Sequence, residues 1–313
     1  MKRFRPHTTD EPERAAVAGP GRRVETLDPT LVTTRAFLCR ALDGLAAQFE
    51  AVTVIGSHAV HERTKRLPDV ESTSTKDGDL ALTPELATDE PSIEALMRRQ
   101  GFRPLMEIAA DLSDGHRGKT RWLSRPGLWG TGIDDAGQPI EEVDLLVPEP
   151  LAGGKGRSTR SMPAHGKAKI GRVSGIELAI LERDLVEFEN FEDGTTRPAY
   201  VARPSGIICA KAQKICDRLD PDRPERAANV GKDMVDMWRC MAVSDPREVE
   251  EQFSRNQTHP TMGAAISEGR AKLVRLLRGS ELEGRVTDSL EALGADPSGV
   301  PELFAKWRAR HTL

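Results

Sequence analysis

Short apolar runs alternate with amphipathic stretches through the first two thirds of the chain, which predicts strands packed with helices. Leu31–Phe49 carries apolar residues at helical spacing and leads into the β-branched run Ala51–Ile55, which predicts a buried strand. Further strands are predicted at Ser74–Leu82, Phe102–Ile108, Lys119–Ser124 and Glu141–Val147, with a helix at Pro91–Gln100. Residues 169–180 predict a strand followed by a helix, and Leu185–Phe191 with Ala199–Val201 predicts a hairpin.

After Pro204 the pattern changes to helices only. They are predicted at Ser205–Leu219, Val230–Met241, Met262–Leu277, Leu282–Leu293 and Pro301–Arg308. Residues 1–28 are rich in Arg, Glu, Pro and Gly without hydrophobic periodicity, and they predict a disordered tail. The expected organisation is an α+β domain over residues 29–203 followed by a helical domain over residues 204–313.

The amino-acid composition limits the class of protein and the partners that can be expected. The 313 residues are 38% hydrophobic and 30% charged, which is typical of a soluble globular protein. The net charge of -4 means that any nucleic-acid surface must be a local patch. There is neither a membrane-length apolar run nor a signal-peptide core, so no membrane partner is expected. The four cysteines lack Cys-x-x-Cys spacing, which argues against zinc and favours a reducing, cytoplasmic location.

Two carboxylates mark the strand at Ser74–Leu82. Because side chains alternate along a strand, Asp77 and Asp79 share one face while Leu80 and Leu82 share the other. Neighbouring carboxylates repel each other, and a divalent cation removes that cost. Mg²⁺ is the oxygen-seeking ion that suits such a pair, so a metal site is predicted here.

The strand at Glu141–Val147 repeats this arrangement, with Glu142 and Asp144 on one face. Asp144 is a third candidate metal ligand if the two strands converge on one cleft. The alternative is a solvated acid, because one face of a sheet can be wet.

The first predicted strand ends at Gly56 and Ser57. A Gly-Ser turn at this point can offer backbone N–H groups and a hydroxyl to a phosphate. Together with the acidic strands, it predicts a site for a metal and a nucleotide.

The combination of an apolar strand, Gly-Ser, Thr-x-Asp-x-Asp and a third acidic strand resembles the nucleotidyltransferase superfold related to DNA polymerase β. In the helical part, Lys211 is followed on the next helix by the Lys-Asp-x-x-Asp sequence of residues 232–236. This pairing resembles the AbiEii-like nucleotidyltransferases, which include toxins of type IV abortive-infection systems and related mycobacterial toxins. The resemblance covers about residues 50–242, although the gap between Ser57 and Asp77 is unusually long.

The resemblance implies a nucleotidyltransferase-type mixed sheet with flanking helices, followed by an α-helical C-terminal domain. It places Gly56 and Ser57 in the phosphate turn and Asp77 and Asp79 on Mg²⁺. It also places Lys211 on a nucleotide phosphate and Asp233 as the acid of the fourth motif. The implied reaction moves a nucleoside monophosphate from an NTP to an acceptor such as RNA or tRNA, in a toxin that has an antitoxin partner.

Lys211 has a second interpretation. It falls within an apolar helical stripe, where lysines often extend the ammonium group to solvent. A buried ammonium instead needs an anion, which Asp233 or a triphosphate could supply.

Residues 151–173 contain six basic residues and no acid: Lys155, Arg157, Arg160, Lys167, Lys169 and Arg172. Such a loop could hold an RNA backbone, or it could be an ordinary solvated loop.

Two rival functions use the same core. A small-molecule nucleotidyltransferase of the aminoglycoside-resistance type would have an acidic acceptor pocket, whereas an RNA-modifying enzyme would have a basic one. A non-catalytic protein that binds a nucleotide or a partner would have no reason to keep clustered acids, so the acidic pair argues against it.

Overall fold

The computed structural model describes residues 27–67, 75–112, 121–154, 156, 159–166, 169–222, 227 and 230–311. The predicted tail lies almost entirely outside these residues. So do Ser74, Lys119 and three of the six basic residues of the 151–173 segment, namely Lys155, Arg157 and Lys167.

The fold is mixed α/β and is built on one mixed sheet. Within the described residues the strands are β1 Val52–Ile55, β2 Asp77–Leu82, β3 Arg103–Pro104, β4 Leu128–Gly130, β5 Gly132–Ile133, β6 Pro139–Ile140, β7 Glu142–Pro148, β8 Gly171–Val173, β9 Arg183–Glu189 and β10 Thr196–Ala202. The sheet order is β3-β4-β7-β2-β1-β10-β9, with β8 also paired to β7, while β5 and β6 form a separate two-stranded ribbon.

Eleven α-helices are described in addition to the strands. They are α1 Pro29–Gly44, α2 Gly56–Thr64, α3 Ile93–Arg99, α4 Leu105–Asp111, α5 Glu177–Leu181, α6 Pro204–Arg218, α7 Val230–Ala242, α8 Pro246–Asn256, α9 Gly263–Arg278, α10 Glu281–Ala292 and α11 Val300–His311. The helices from α6 onward form the predicted helical C-terminal region. No helix among the described residues is long and apolar enough to cross a bilayer.

Helix α1 starts at a capped position and packs against strand β2. Asp28 caps α1 by accepting hydrogen bonds from the backbone N–H groups of Thr30 and Leu31, and Pro29 follows at the first helical position. A Cβ on Gly78 of β2 would lie only 2.9 Å from a side-chain atom of Leu38 on α1. Glycine therefore lets this helix pack closely against the acidic strand.

The sheet and the C-terminal helices share one hydrophobic core. Buried side chains from β1 and β2, such as Val54 and Leu80, belong to the same cluster as Ile208 of α6 and Met234 of α7. The predicted division near Pro204 coincides with the start of α6, but whether the two parts are separate domains stays a prediction.

Two predicted strands are wrong. Phe102–Ile108 contains only the two-residue β3 and then enters α4, where Leu105 and Ile108 are buried three residues apart, a helical spacing. Within Lys119–Ser124, the described residues Arg121–Ser124 form a 3-10 helix. Both segments are short apolar runs, which do not separate strand from helix by periodicity alone.

Helices α2 and α8 were missed. The sequence predicted only a turn at Gly56 and Ser57, where α2 begins. In α8, Val249 and Phe253 are buried one turn apart, while most of the other side chains are polar. Two apolar positions are too few for the sequence pattern to predict a helix. The local start signal is present, because Asp245 caps the helix and Pro246 follows it.

Candidate metal and nucleotide site

Three aspartates converge at the centre of the sheet. β2 and β7 are parallel neighbours, and their register places Asp79 directly beside Asp144 and Asp77 beside Glu142. One carboxylate oxygen from each of Asp77, Asp79 and Asp144 lies within 4.8 Å of the others. The predicted convergence of Asp144 with the acidic pair is therefore seen in the structure.

Two of these side chains differ in how they are held. The Thr75 hydroxyl donates a hydrogen bond of 2.8 Å to Oδ1 of Asp77. Thr75 is itself buried, so it fixes the orientation of that carboxylate. Oδ1 of Asp144 is buried and has no hydrogen-bond partner among the described residues. A buried oxygen without a partner is costly unless something else coordinates it.

Burial and mutual repulsion raise the pKa values of the carboxyl groups in this cluster. Burial, together with the charge of Asp77, raises the pKa of Asp79 to about 6. Burial and the charges of Asp79, Glu142 and Asp77 raise the pKa of Asp144 well above its usual value. The pKa of Glu142 rises to about 7, again through burial first and Asp77 second.

The donor set fits Mg²⁺. Three carboxylates supply hard oxygen ligands, and Oδ1 of Asp144 has no competing partner among the described residues. A divalent cation would also offset the repulsion that raises these pKa values. Asp77, Asp79 and Asp144 are the residues that would hold it.

The predicted phosphate turn, Gly56 and Ser57, lies directly against this cluster. Ile55 pairs with Asp79 across β1 and β2, and Gly56 then begins α2 with a φ of 65°. A Cβ on Gly56 would lie 1.9 Å from Oδ2 of Asp79, so only glycine fits. Ser57 is buried in the first turn of α2, and no side chain of the described residues caps the helix start. The first N–H groups of α2 are thus suited to bind an anion.

Lys211 is held by acids rather than extended to solvent. Its ammonium lies 2.8 Å from Oδ1 of Asp233 and 2.6 Å from Oδ2 of Asp236, and its side chain is only 7% exposed. Burial alone would lower the pKa of Lys211, but Asp236 and Asp233 raise it above its usual value. Of the two interpretations left open by the sequence, the structure supports the buried, paired lysine.

Asp233 is surrounded by basic side chains. Besides Lys211, it contacts Lys214 at 3.4 Å and Arg218 at 2.6 Å, both on α6. Burial would raise the pKa of Asp233, but these positive charges lower it. The structure therefore places Asp233 in an ion-pair cluster with α6, and its predicted catalytic role stays a prediction.

Three basic residues near the acids were missed by sequence reasoning. The positive charges of Lys214 and Lys232 act on Asp79, and that of Arg125 acts on Asp144. Lys214 lies one helical turn beyond Lys211, and Lys232 opens the Lys-Asp-x-x-Asp sequence, so both had a local signal. Arg125 had none, because only the pairing of β4 with β7 brings its segment to Asp144.

The basic 151–173 segment is less available than its composition suggests. Lys169 forms a salt bridge with Glu107, and Arg172 forms one with Glu149. Arg160 is exposed. β8 pairs with the far end of β7, at Leu146–Pro148, beyond the acidic positions. Two of the three described basic residues are therefore paired with acids rather than free for RNA.

Comparisons with known proteins do not show a family. No protein-family model matches the chain, and no curated protein matches it. The chain is similar to a solved structure described as an antigenic nucleotidyltransferase-like protein from Paracoccidioides brasiliensis, at 13% identity and a TM-score of 0.37. That similarity covers 77% of this chain and 94% of the other. Similarity at this level supports no inference about function, which therefore depends on the site itself.

Proposed function

We propose that this chain is a Mg²⁺-dependent nucleotidyltransferase. In the proposed reaction an acceptor hydroxyl attacks the α-phosphorus of an NTP. The new P–O bond joins the acceptor to the nucleoside monophosphate, the bond between the α-phosphorus and the bridging oxygen breaks, and pyrophosphate leaves. The proton of the acceptor hydroxyl is released to solvent.

The observation that carries this proposal is the meeting of Asp77, Asp79 and Asp144 beside the uncapped start of α2. Three carboxylates alone would repel a triphosphate, so they serve nucleotide chemistry only with a cation between them. When bound, Mg²⁺ would neutralise the phosphates and activate the acceptor hydroxyl.

The chain's own residues supply positioning and electrostatic stabilisation. Thr75 orients Asp77, and Gly56 lets the phosphate turn approach Asp79. The first-turn N–H groups of α2 and the lysines near Asp79 offer positive potential to the phosphate chain. Phosphoryl transfer relies mostly on such positioning and charge stabilisation.

The resemblance to the AbiEii-like enzymes extends the proposal to an RNA acceptor, such as the end of a tRNA, and to a toxin role with an antitoxin partner. Support for RNA is limited to that resemblance and to the composition of residues 151–173. The ion pairs of Lys169 and Arg172 weaken the second of these. A small hydroxylated acceptor is therefore the alternative to be tested.

The test is incubation of the purified protein with each α-labelled NTP, Mg²⁺ and either total tRNA or a panel of aminoglycosides. The proposal expects label transfer to one acceptor class, and none with Asp79→Asn. Label on tRNA would support RNA as the acceptor. Label on an aminoglycoside would instead identify a small hydroxylated molecule as the acceptor. Label transfer by Asp79→Asn at the wild-type rate would contradict the proposed site.

A further inference from the structure

The first turn of α2 must be held in place, because its N–H groups are the proposed phosphate contact. The helix starts at Gly56 with a φ of 65°, and no side chain of the described residues caps this start. His58, in the same turn, is fully buried, and neither nitrogen of its ring has a hydrogen-bond partner among the described residues. Contacts from other elements must therefore fix the position of this turn.

Arg35 of α1 supplies such contacts. Its Nη1 donates a hydrogen bond of 3.3 Å to the backbone carbonyl of His58, and its Nη2 donates one of 2.6 Å to Oε2 of Glu62. His58 and Glu62 are four residues apart, so the two contacts lie one turn apart on the same side of α2. The Nε of Arg35 donates at 2.8 Å to the backbone carbonyl of Glu189, at the end of β9. One guanidinium thus joins α1, α2 and β9.

The burial of Arg35 makes this arrangement specific. Its side chain is 0% exposed, and that of Glu62 is 5% exposed. The guanidinium carbon also lies 3.3 Å from the ring centroid of Phe188 and 4.6 Å from that of Phe191. A buried guanidinium is costly unless its donors are paired, and its planar shape fixes the directions of those donors. Rotation or sliding of α2 on this side would break both contacts.

Two other arginines hold the opposite end of α2. Arg63 donates a hydrogen bond of 2.8 Å to the backbone carbonyl of Ala202. Arg239 of α7 donates one of 3.0 Å to the hydroxyl of Thr64. These contacts fix the last turn of the helix, whereas Arg35 acts on the first turn, next to the acidic cluster.

We infer that Arg35 is a positioning residue for the phosphate contact. It holds the first turn of α2 so that the N–H groups stay beside the aspartates, and it does not itself touch the phosphate. The inference rests on the proposed function, and it adds a residue of α1 to that site.

The test compares two probes in Arg35→Met. Mn²⁺ alone, followed by electron paramagnetic resonance, reports the aspartates on β2 and β7. Mg²⁺-tripolyphosphate, followed by calorimetry, also reports the phosphate turn, without base or sugar. The variant should bind Mn²⁺ as the wild type does but tripolyphosphate about tenfold more weakly, because a displacement of about 1 Å is enough for such a loss. Equal losses for both probes would show a general structural defect and would overturn the inference.

The double variant Arg35→Met with Glu62→Gln guards against unfolding. The single substitution leaves the Glu62 carboxylate without its buried partner, whereas the double one removes both charges. The other partner of Glu62, Lys65, is 54% exposed and stays hydrated. The same difference between the two probes is expected. Wild-type affinity for tripolyphosphate in the folded double variant would contradict the role of Arg35.

Arg183→Met is the matched control. Arg183 donates hydrogen bonds to the backbone carbonyl of Glu50 at 2.8 Å and to the hydroxyl of Thr53 at 3.0 Å, and its guanidinium carbon lies 4.1 Å from the ring centroid of Tyr200. These contacts lie at the start of β1, whereas Gly56 follows its end. Both affinities should equal those of the wild type. A loss of tripolyphosphate binding as large as in Arg35→Met would refute a specific role for Arg35.

Arg35→Lys separates charge from geometry. It keeps a positive charge for Glu62 but has one nitrogen in place of three, so it should regain thermal stability while tripolyphosphate binding stays weak. Full recovery of tripolyphosphate binding would show that the fork of contacts is not needed. Failure of the wild type to bind either probe would instead reject the proposed function itself.

Discussion

At the residue scale, the site is a set of charges that the fold holds close together against their mutual repulsion. Asp79 and Asp144 lie side by side in the strand register, and burial adds to their repulsion. The alternating pattern in the sequence predicted that Asp77 and Asp79 would share a face. It left open whether Lys211 would pair with Asp233 or with a triphosphate, and it did not predict the second partner, Asp236, because these contacts depend on how α6 packs on α7.

Removing one of these charges should stabilise the metal-free protein. Asp79→Asn keeps the shape of the side chain and relieves the repulsion with Asp77 and Asp144, so the free energy of unfolding at alkaline pH should rise by about 1–2 kcal/mol. Urea unfolding in the presence of a chelator measures this change. Equal or lower stability of the variant would mean that the cluster carries no electrostatic strain.

The same repulsion predicts a pH dependence. An acid whose pKa is raised by folding binds more protons in the folded state than in the unfolded state, so stability falls as pH rises between the two values. For Asp79 that window runs from its ordinary 3.8 to about 6. Unfolding free energies of the metal-free protein should fall across this window, and Mg²⁺ should recover most of the loss. A curve for Asp79→Asn as steep as that of the wild type would contradict this assignment.

At the element scale, the important unit is the passage from β1 through Gly56 into α2. The sequence predicted β1 and a turn at Gly56 and Ser57, because a β-branched run followed by Gly-Ser is a local signal, but it did not predict that a helix begins at Gly56. The segments 102–108 and 119–124 failed because nothing local distinguishes a short strand from a short helix there. Among the described residues, Leu105 and Ile108 of the first segment and Leu123 of the second pack in one small cluster with Leu128 of β4.

Gly56→Ala tests this passage. The substitution imposes a strained positive φ and also drives Cβ into Asp79, so stability should fall by more than about 2 kcal/mol and Mg²⁺ binding should weaken. Gly101→Ala is the matched control, since Gly101 also has a positive φ, of 84°, but no atom of the described residues lies within 4 Å of the added Cβ. Its cost should be about 1 kcal/mol, with Mg²⁺ binding unchanged. Equal losses of stability and of Mg²⁺ binding in the two variants would show that Gly56 has no special role at the site.

At the scale of the whole molecule, the sheet and the C-terminal helices share one hydrophobic core. The strands that carry the acids and the helices that carry the lysines are therefore packed together. The acids come from β2 and β7, whereas the lysines come from α6 and α7. The sequence predicted both halves and their order, but the continuity of the core depends on contacts between distant segments. Those contacts leave no local pattern in the chain.

This continuity predicts a single unfolding transition. Because the nucleotide would contact both sides, Mg²⁺ with the NTP at about 100 times its dissociation constant should stabilise the whole fold by about 2.7 kcal/mol. Calorimetric scans with and without the ligand measure this shift. Two separate transitions, with only one of them moved by the ligand, would show that the helical part is an independent domain.

The most direct test of the central claim is the titration of the protein with Mn²⁺ as a stand-in for Mg²⁺, followed by electron paramagnetic resonance. The wild type should bind the ion at one site, Mg²⁺ should displace it, and added NTP should tighten it. Asp144→Asn should weaken binding at least about tenfold, because it removes a charged ligand. Undiminished binding in that variant, or no binding in the wild type with NTP present, would contradict the claim that Asp77, Asp79 and Asp144 form a metal site for a nucleotide.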